Sequence, residues 1–218
     1  MKAIIFGSIG TLVETSDIQR QSFNQAFKEI GLDWYWDKNN YKNLLKKSGG
    51  RNRVEYFANI NQNTVDSKKI RELKTQYFNR YLNSNIINPR EGVLEVIKYA
   101  KLNNIKIGLA STTTIENIDA IFTTLKDKII KTDFNFIGNS KLIKKVKPYP
   151  DIYFEALKKL SLNEKECIAI EDSVESALSA NKAKIECIAF PGLFHMDDDF
   201  SFCKKCLNKL DISIFENR

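Results

Sequence analysis

Phe6-Gly7-Ser8-Ile9-Gly10-Thr11-Leu12 closes a short apolar run at residues 2–6, and this junction decides the fold. A run of that length ending in small, flexible residues reads as a buried strand that delivers a loop. Working outward, residues 105–110, 134–137, 167–170 and 186–190 are runs of the same kind. Between the later runs, apolar and small residues fall at helix spacing: Ile97 and Ala100, Leu157 and Leu160, then Val174, Ala177, Leu178 and Asn181. Strands alternating with helices predict an α/β fold with a doubly wound, Rossmann-like parallel sheet. Such sheets carry their ligand sites beyond the C-terminal strand ends, which is where the Gly7–Leu12 stretch would lie.

One stretch interrupts the alternation. After the first strand, some seventy residues contain no good strand before the helix that opens near Pro89-Arg90-Glu91-Gly92. Thr15 or Ser16 can cap a helix whose Phe23, Ala26, Phe27 and Ile30 share one face, and Gly31 can end it. Ile70, Leu73, Tyr77 and Tyr81 predict a second long amphipathic helix. The expected division is therefore an α/β core of residues 1–14 and 89–218, with residues 15–88 inserted as a helical cap domain over the strand ends. The hinges are expected near Val13 and Asn88.

Composition narrows the function classes. With 218 residues, 43% hydrophobic and 11% aromatic, the chain can bury a proper core. No apolar run approaches the ~20 residues of a membrane span, and residues 2–6 are too short for a signal peptide, so a cytoplasmic protein without membrane association is expected. The net charge of +7 is spread along the chain rather than gathered on an arm with aromatics. That argues against a nucleic-acid partner and mildly favours anionic small molecules such as sugar phosphates. A monomer is the expected state. Cys167 and Cys187 fall in apolar runs where a buried thiol is ordinary. Cys203 and Cys206 are read as two thiols on one turn of a C-terminal helix, because half a zinc motif has no partner ligands nearby. Asp197-Asp198-Asp199 reads as a solvated helix start, and His195 as a surface-loop residue.

Four strand ends hold the chemistry: the Gly7–Leu12 stretch, Ser111-Thr112-Thr113-Thr114, Lys147-Pro148-Tyr149-Pro150-Asp151, and Glu171-Asp172-Ser173. In this order they resemble the four motifs of the haloacid dehalogenase superfamily across nearly the whole chain. Glu14-Thr15, Arg20, Ser22-Phe23-Asn24, Gly31-Leu32-Asp33-Trp34, Trp36-Asp37 and Gly49-Gly50-Arg51-Asn52-Arg53 resemble the cap of its CbbY-type, β-phosphoglucomutase-like subgroup. The resemblance implies hydrolysis of sugar phosphates, including a bisphosphate by-product of Rubisco. It also implies an aspartate nucleophile, a second aspartate two residues on as acid and base, and a magnesium ion that offsets charge repulsion.

The family pattern at the first motif is Asp-x-Asp-Gly-Thr-Leu. Here Gly7 and Ile9 stand in place of both aspartates, while Gly10-Thr11-Leu12 survives. By the same resemblance, Ser111 and the Thr112 amide bind phosphate oxygens and Lys147 neutralises their charge. Glu171 and Asp172 match the metal-side carboxylates, so magnesium, if bound, is held weakly without phosphate. Asp172 is equally open to pairing with Lys147. Ser173 is expected to cap the next helix. Glu14, Gly50, Arg51 and Arg53 match the cap residues that read the distal part of the substrate, with Gln19 where the group commonly shows His. The expected function is a catalytically degenerate homologue that binds a phosphorylated small molecule. The alternatives are an active phosphatase or phosphomutase with an atypical nucleophile, and a protein- or nucleic-acid-binding module on the same scaffold.

Overall fold

The structure is a computed structural model that describes residues 1–47, 49–85, 87–125 and 128–216. The chain divides into two compact units, Met1–Glu14 with Ile86–Arg218, and Thr15–Asn85.

The first unit is built on a six-stranded, wholly parallel sheet: β1 (Ala3–Phe6), β2 (Lys106–Leu109), β3 (Phe136–Ile137), β4 (Cys167–Glu171), β5 (Glu186–Ala189) and β6 (Lys205–Cys206), in the order β3-β2-β1-β4-β5-β6. Every residue of β1 and β4 is buried, which explains why residues 3–6 and 167–170 are apolar throughout instead of alternating, with Glu171 the buried charge that ends β4. The register sets Phe6 between Leu109 and Ile170. It continues past the strand ends, where the Gly7 amide donates to the Ile170 carbonyl at 2.8 Å and the Ala110 amide to the Phe6 carbonyl at 2.7 Å. The chain leaving β1 is thus held against the chains leaving β2 and β4. Apart from a single turn at α1 (Ile9–Leu12), the unit's helices are α6 (Val93–Leu102), α7 (Ile115–Thr124), α8 (Asp151–Leu160) and α9 (Val174–Lys182). Small residues (Ala169, Ala177, Ala180 and Ala189) line one core and let α9 approach β4 and β5 closely. Gly92 holds a positive φ, and any side chain there would run into the Leu210 backbone, so the glycine seats the C-terminal segment.

Three expectations fail in this unit. Cys203 and Cys206 are not on a helix: Cys206 ends the edge strand β6 and Cys203 lies in the turn before it. A two-residue strand with both side chains exposed leaves no apolar run to read. Asp197-Asp198-Asp199 starts no helix; these residues lie in turns, where Asp198 pairs with the His195 ring at 2.6 Å. Ser173 occupies the N-cap of α9, but its side chain makes no capping hydrogen bond.

The second unit is all-helical: α2 (Ser16–Glu29), α3 (Lys38–Leu45), α4 (Gly50–Ile60) and α5 (Ser67–Ser84). Its core is aromatic. The Trp36 ring lies 4.8 Å from both Phe23 and Phe27, with Tyr41 and Phe57 around it. Residues that carried the cap resemblance prove to hold this core. Arg20 donates to the Trp36 carbonyl at 2.9 Å, Asn24 bonds both the amide and the carbonyl of Trp36, and Asp37 caps α3. The buried seam of α5 is Ser67, Ile70, Lys74, Phe78 and Leu82, not the predicted stripe through Tyr77 and Tyr81. Tyr81 is exposed, and the lysine within the seam breaks the apolar pattern. Thr15 stands at the N-cap of α2 without a side-chain capping bond. Among the described residues no helix is long and apolar enough to cross a membrane.

Candidate functional site

The site is assembled where β1, β2 and β4 end. Lys147 comes in from the loop before α8, a loop anchored by the Ser179 hydroxyl, which donates to the Tyr149 carbonyl at 2.7 Å. Its ammonium donates to the Gly7 carbonyl at 2.5 Å and to Glu171 Oε1 at 2.5 Å. The Tyr153 hydroxyl, one turn into α8, donates to the same Oε1 at 2.5 Å. Lys147 is 6% exposed and Glu171 fully buried, so Lys147 is no surface lysine. Its carboxylate partner is Glu171, not the Asp172 pairing that the sequence left open. Burial pushes the Glu171 carboxyl up to about 7, against the pull of Lys147 and with a further push from Asp172. Burial also raises the Tyr153 phenol well above its ordinary value. Glu171 Oε2 is buried without a hydrogen-bond partner.

Gly7 sits directly against this carboxylate. A β-carbon at position 7 would fall inside the Glu171 carboxylate group, far below contact distance. Gly7 does not hold a positive φ, so its backbone does not require glycine. Its neighbour loop is shaped by the surviving frame: the Thr11 hydroxyl donates back to the Ser8 carbonyl at 2.7 Å. Asp172 lies over Gly10, whose missing side chain leaves it room.

Arg90 is a residue that sequence reading passed over. Its guanidinium donates to the carbonyls of Gly10 (2.9 Å), Phe190 (2.9 Å) and Pro191 (2.6 Å), and lies 3.4 Å from the centroid of the Phe190 ring. It therefore ties the first loop to the turn after β5. The same turn takes Glu14, whose carboxylate accepts from the Leu193 amide at 2.7 Å. Glu14, expected to read the distal part of the substrate, is the last residue of the first segment of the α/β unit.

After β2, Ser111 is buried and its Oγ accepts from the Thr113 amide at 3.2 Å. Thr113 is held in turn by Asn117 and by the Ser140 amide, and Thr114 caps α7. Ser111 and the half-buried Thr112 thus sit on a fixed turn at the head of a helix, where amides and the helix dipole favour an anion.

The donor set suits magnesium poorly. The ion wants near-octahedral oxygen ligation with carboxylate help. Position 7 offers no carboxylate, and Glu171 Oε1 is taken by Lys147 and Tyr153. Only Glu171 Oε2 and Asp172 remain, and no cluster of three acidic, His or Cys side chains suited to a metal occurs among the described residues.

Gly50, Arg51 and Arg53 lie together on α4 of the helical unit. Arg51 pairs with Glu55 at 2.7 Å and reaches the Ser67 hydroxyl, while Arg53 donates to the Lys47 carbonyl and lies over the Tyr41 ring. Lys74, also missed, is 9% exposed and donates to Gln19 Oε1 at 3.1 Å, with its ammonium over the Phe78 ring.

The parallel sheet and the order of the strand-end motifs are those of a haloacid dehalogenase-like fold, and residues 4–190 match the haloacid dehalogenase-like hydrolase family, to which this chain belongs. Within it the chain is a CbbY-like homologue. It is 35% identical to the protein CbbY of Rhodobacter capsulatus over 92% of this chain and 90% of that protein. The crystal structure of CbbY from Rhodobacter sphaeroides in complex with phosphate superposes with a TM-score of 0.87 at 29% identity, covering 96% of this chain and 94% of that one. A mutant of that protein, crystallised with xylulose-1,5-bisphosphate, matches equally well, with a TM-score of 0.87 at 29% identity and the same coverage. Phosphatases of this family generally use magnesium.

Proposed function

We propose that this chain is a catalytically silent CbbY-like homologue whose strand-end cradle binds a phosphorylated small molecule through Ser111, Thr112 and Lys147. One observation carries the reading: the cation and the hydroxyl of the cradle are in place, while position 7 has no side chain and position 9 is isoleucine. Phosphoryl transfer to protein needs a nucleophile, and losing one in another covalent enzyme costs about 10⁶ in rate. Ser8 is a poor replacement, because its buried Oγ has no hydrogen-bond partner among the described residues, so no base is in contact to take its proton. Binding survives that loss, since it depends on charge-assisted hydrogen bonds and helix-terminal amides. Magnesium then binds weakly and only together with phosphate. The complexes of the R. sphaeroides relative with phosphate and with a pentulose bisphosphate support sugar phosphates as the ligand class.

A thermal-unfolding screen against sugar mono- and bisphosphates, with and without magnesium, tests this. At least one should raise the melting temperature of the wild type, and Lys147→Ala should abolish that rise. Stabilisation that persists in Lys147→Ala would put the ligand elsewhere.

A further inference from the structure

We propose that the Glu171 carboxylate is a built-in occupant of the cradle, seated there because position 7 has no side chain, and that it competes with a bound phosphate for the charge of Lys147. The geometry begins at Gly7. Its φ is not positive, so an L-residue is sterically allowed by the backbone; what excludes one is the Glu171 carboxylate, which fills the place of the β-carbon. Glycine here is a matter of space. The occupant is firmly held, because Oε1 takes hydrogen bonds from both Lys147 and Tyr153 and the side chain is wholly buried. Lys147 has three protons to give; Gly7 and Glu171 use two. A phosphate can take the third, but its negative charge then meets the Glu171 carboxylate across the same ammonium. Inside a protein, where charges are poorly screened, such repulsion weakens anion binding substantially. Positions 7 and 171 therefore form one unit: with a side chain at 7, Glu171 must leave, and with Glu171 in place no side chain fits at 7. It follows that Gly7→Asp alone cannot rebuild a nucleophile.

The competition rests on the phosphate-cradle reading above; the shared space does not, and two measurements separate them. The first is a thermal-unfolding cycle of Gly7→Asp, Glu171→Ala and the double variant. Each single change should lower the melting temperature, the first by crowding and the second by stranding Lys147. The double variant should be distinctly more stable than the sum of the two losses, because the new carboxylate takes the vacated space beside Lys147. If Gly7→Asp does not fold, Gly7→Ala in the same cycle asks the same question with a smaller group. Additive losses would overturn the shared space. The second is calorimetric titration with inorganic phosphate at pH 8.5, where the Glu171 carboxyl is ionised. Glu171→Gln keeps the shape and removes the charge, and should bind phosphate on the order of tenfold more tightly than the wild type. Equal or weaker binding would overturn the competition. Coupled melts with no phosphate binding by any of these proteins would overturn the phosphate reading and the competition together.

Discussion

Among the described residues each unit buries one lysine, and the two are treated in opposite ways. Lys147 of the α/β unit meets a carboxylate, a carbonyl and an aromatic ring. Lys74 of the helical unit meets a neutral amide and two phenyl rings, while the charges that act on it, Arg53 and Arg71, are of its own sign. Burial drives the Lys74 ammonium down to about 7, and the two arginines add to the fall. Burial alone therefore tells little about a lysine. One that meets an anion can serve a site; one that meets only neutral groups has its ammonium pushed down by burial.

The largest expected effect comes from removing each lysine in turn. At pH 8 Lys147→Met strands the buried Glu171 and should cost about 3 kcal/mol or more. Lys74→Met places an apolar chain in an apolar seam and should leave stability at pH 6 unchanged or raised. Chemical denaturation of both variants checks this, and losses of equal size would erase the distinction between the two sites.

A second effect, spread over several pH units, separates the units by pH. Lys74 has a folded value lowered to about 7 from 10.5. Between those values the unfolded chain holds a proton that the folded one lacks, so stability rises with pH, by at most about 1.4 kcal/mol per unit. It is lost as pH falls toward 7. Glu171 is raised to about 7 from 4.5, so its contribution is full below 4.5 and is lost as pH rises through 7. Both tryptophans, Trp34 and Trp36, lie in the helical unit, so their fluorescence follows that unit during denaturation. The fluorescence-detected slope between pH 7 and 10 should flatten in Lys74→Met. An unchanged slope would show that Lys74 is not the group responsible.

The smallest effect is expected at Arg51→Ala. Its pair with Glu55 is solvent-exposed at both ends, so the melting temperature of the unliganded protein should barely move. A marked fall would mean that the exposed pair holds α4 in place.

Much of this was legible in the sequence because it rests on pattern. Buried parallel strands are apolar throughout, so residues 2–6 and 167–170 announce themselves. The loop after β1 was readable because Gly10-Thr11-Leu12 survives the loss of its neighbours. What escaped was pairwise. Lys74 hides in a seam because a lysine there reads as an exposed face, although Ile70 and Phe78 flank it at helical spacing. Arg90 was read as part of a helix start, since nothing local tells that its partners are the carbonyls of Gly10, Phe190 and Pro191. The fit of Glu171 into the space at Gly7 spans 164 positions of chain and is visible only in three dimensions. β6 is too short and too polar to carry any signal.

The central claim is that the cradle binds phosphate without turning it over. Phosphorus NMR of a sugar bisphosphate mixed with the wild-type protein and magnesium tests both halves in one spectrum. The ligand phosphorus signals should shift or broaden on binding, an effect lost in Lys147→Ala, and no inorganic phosphate signal should grow over hours. Steady growth of inorganic phosphate that scales with protein concentration and vanishes in Lys147→Ala would contradict it.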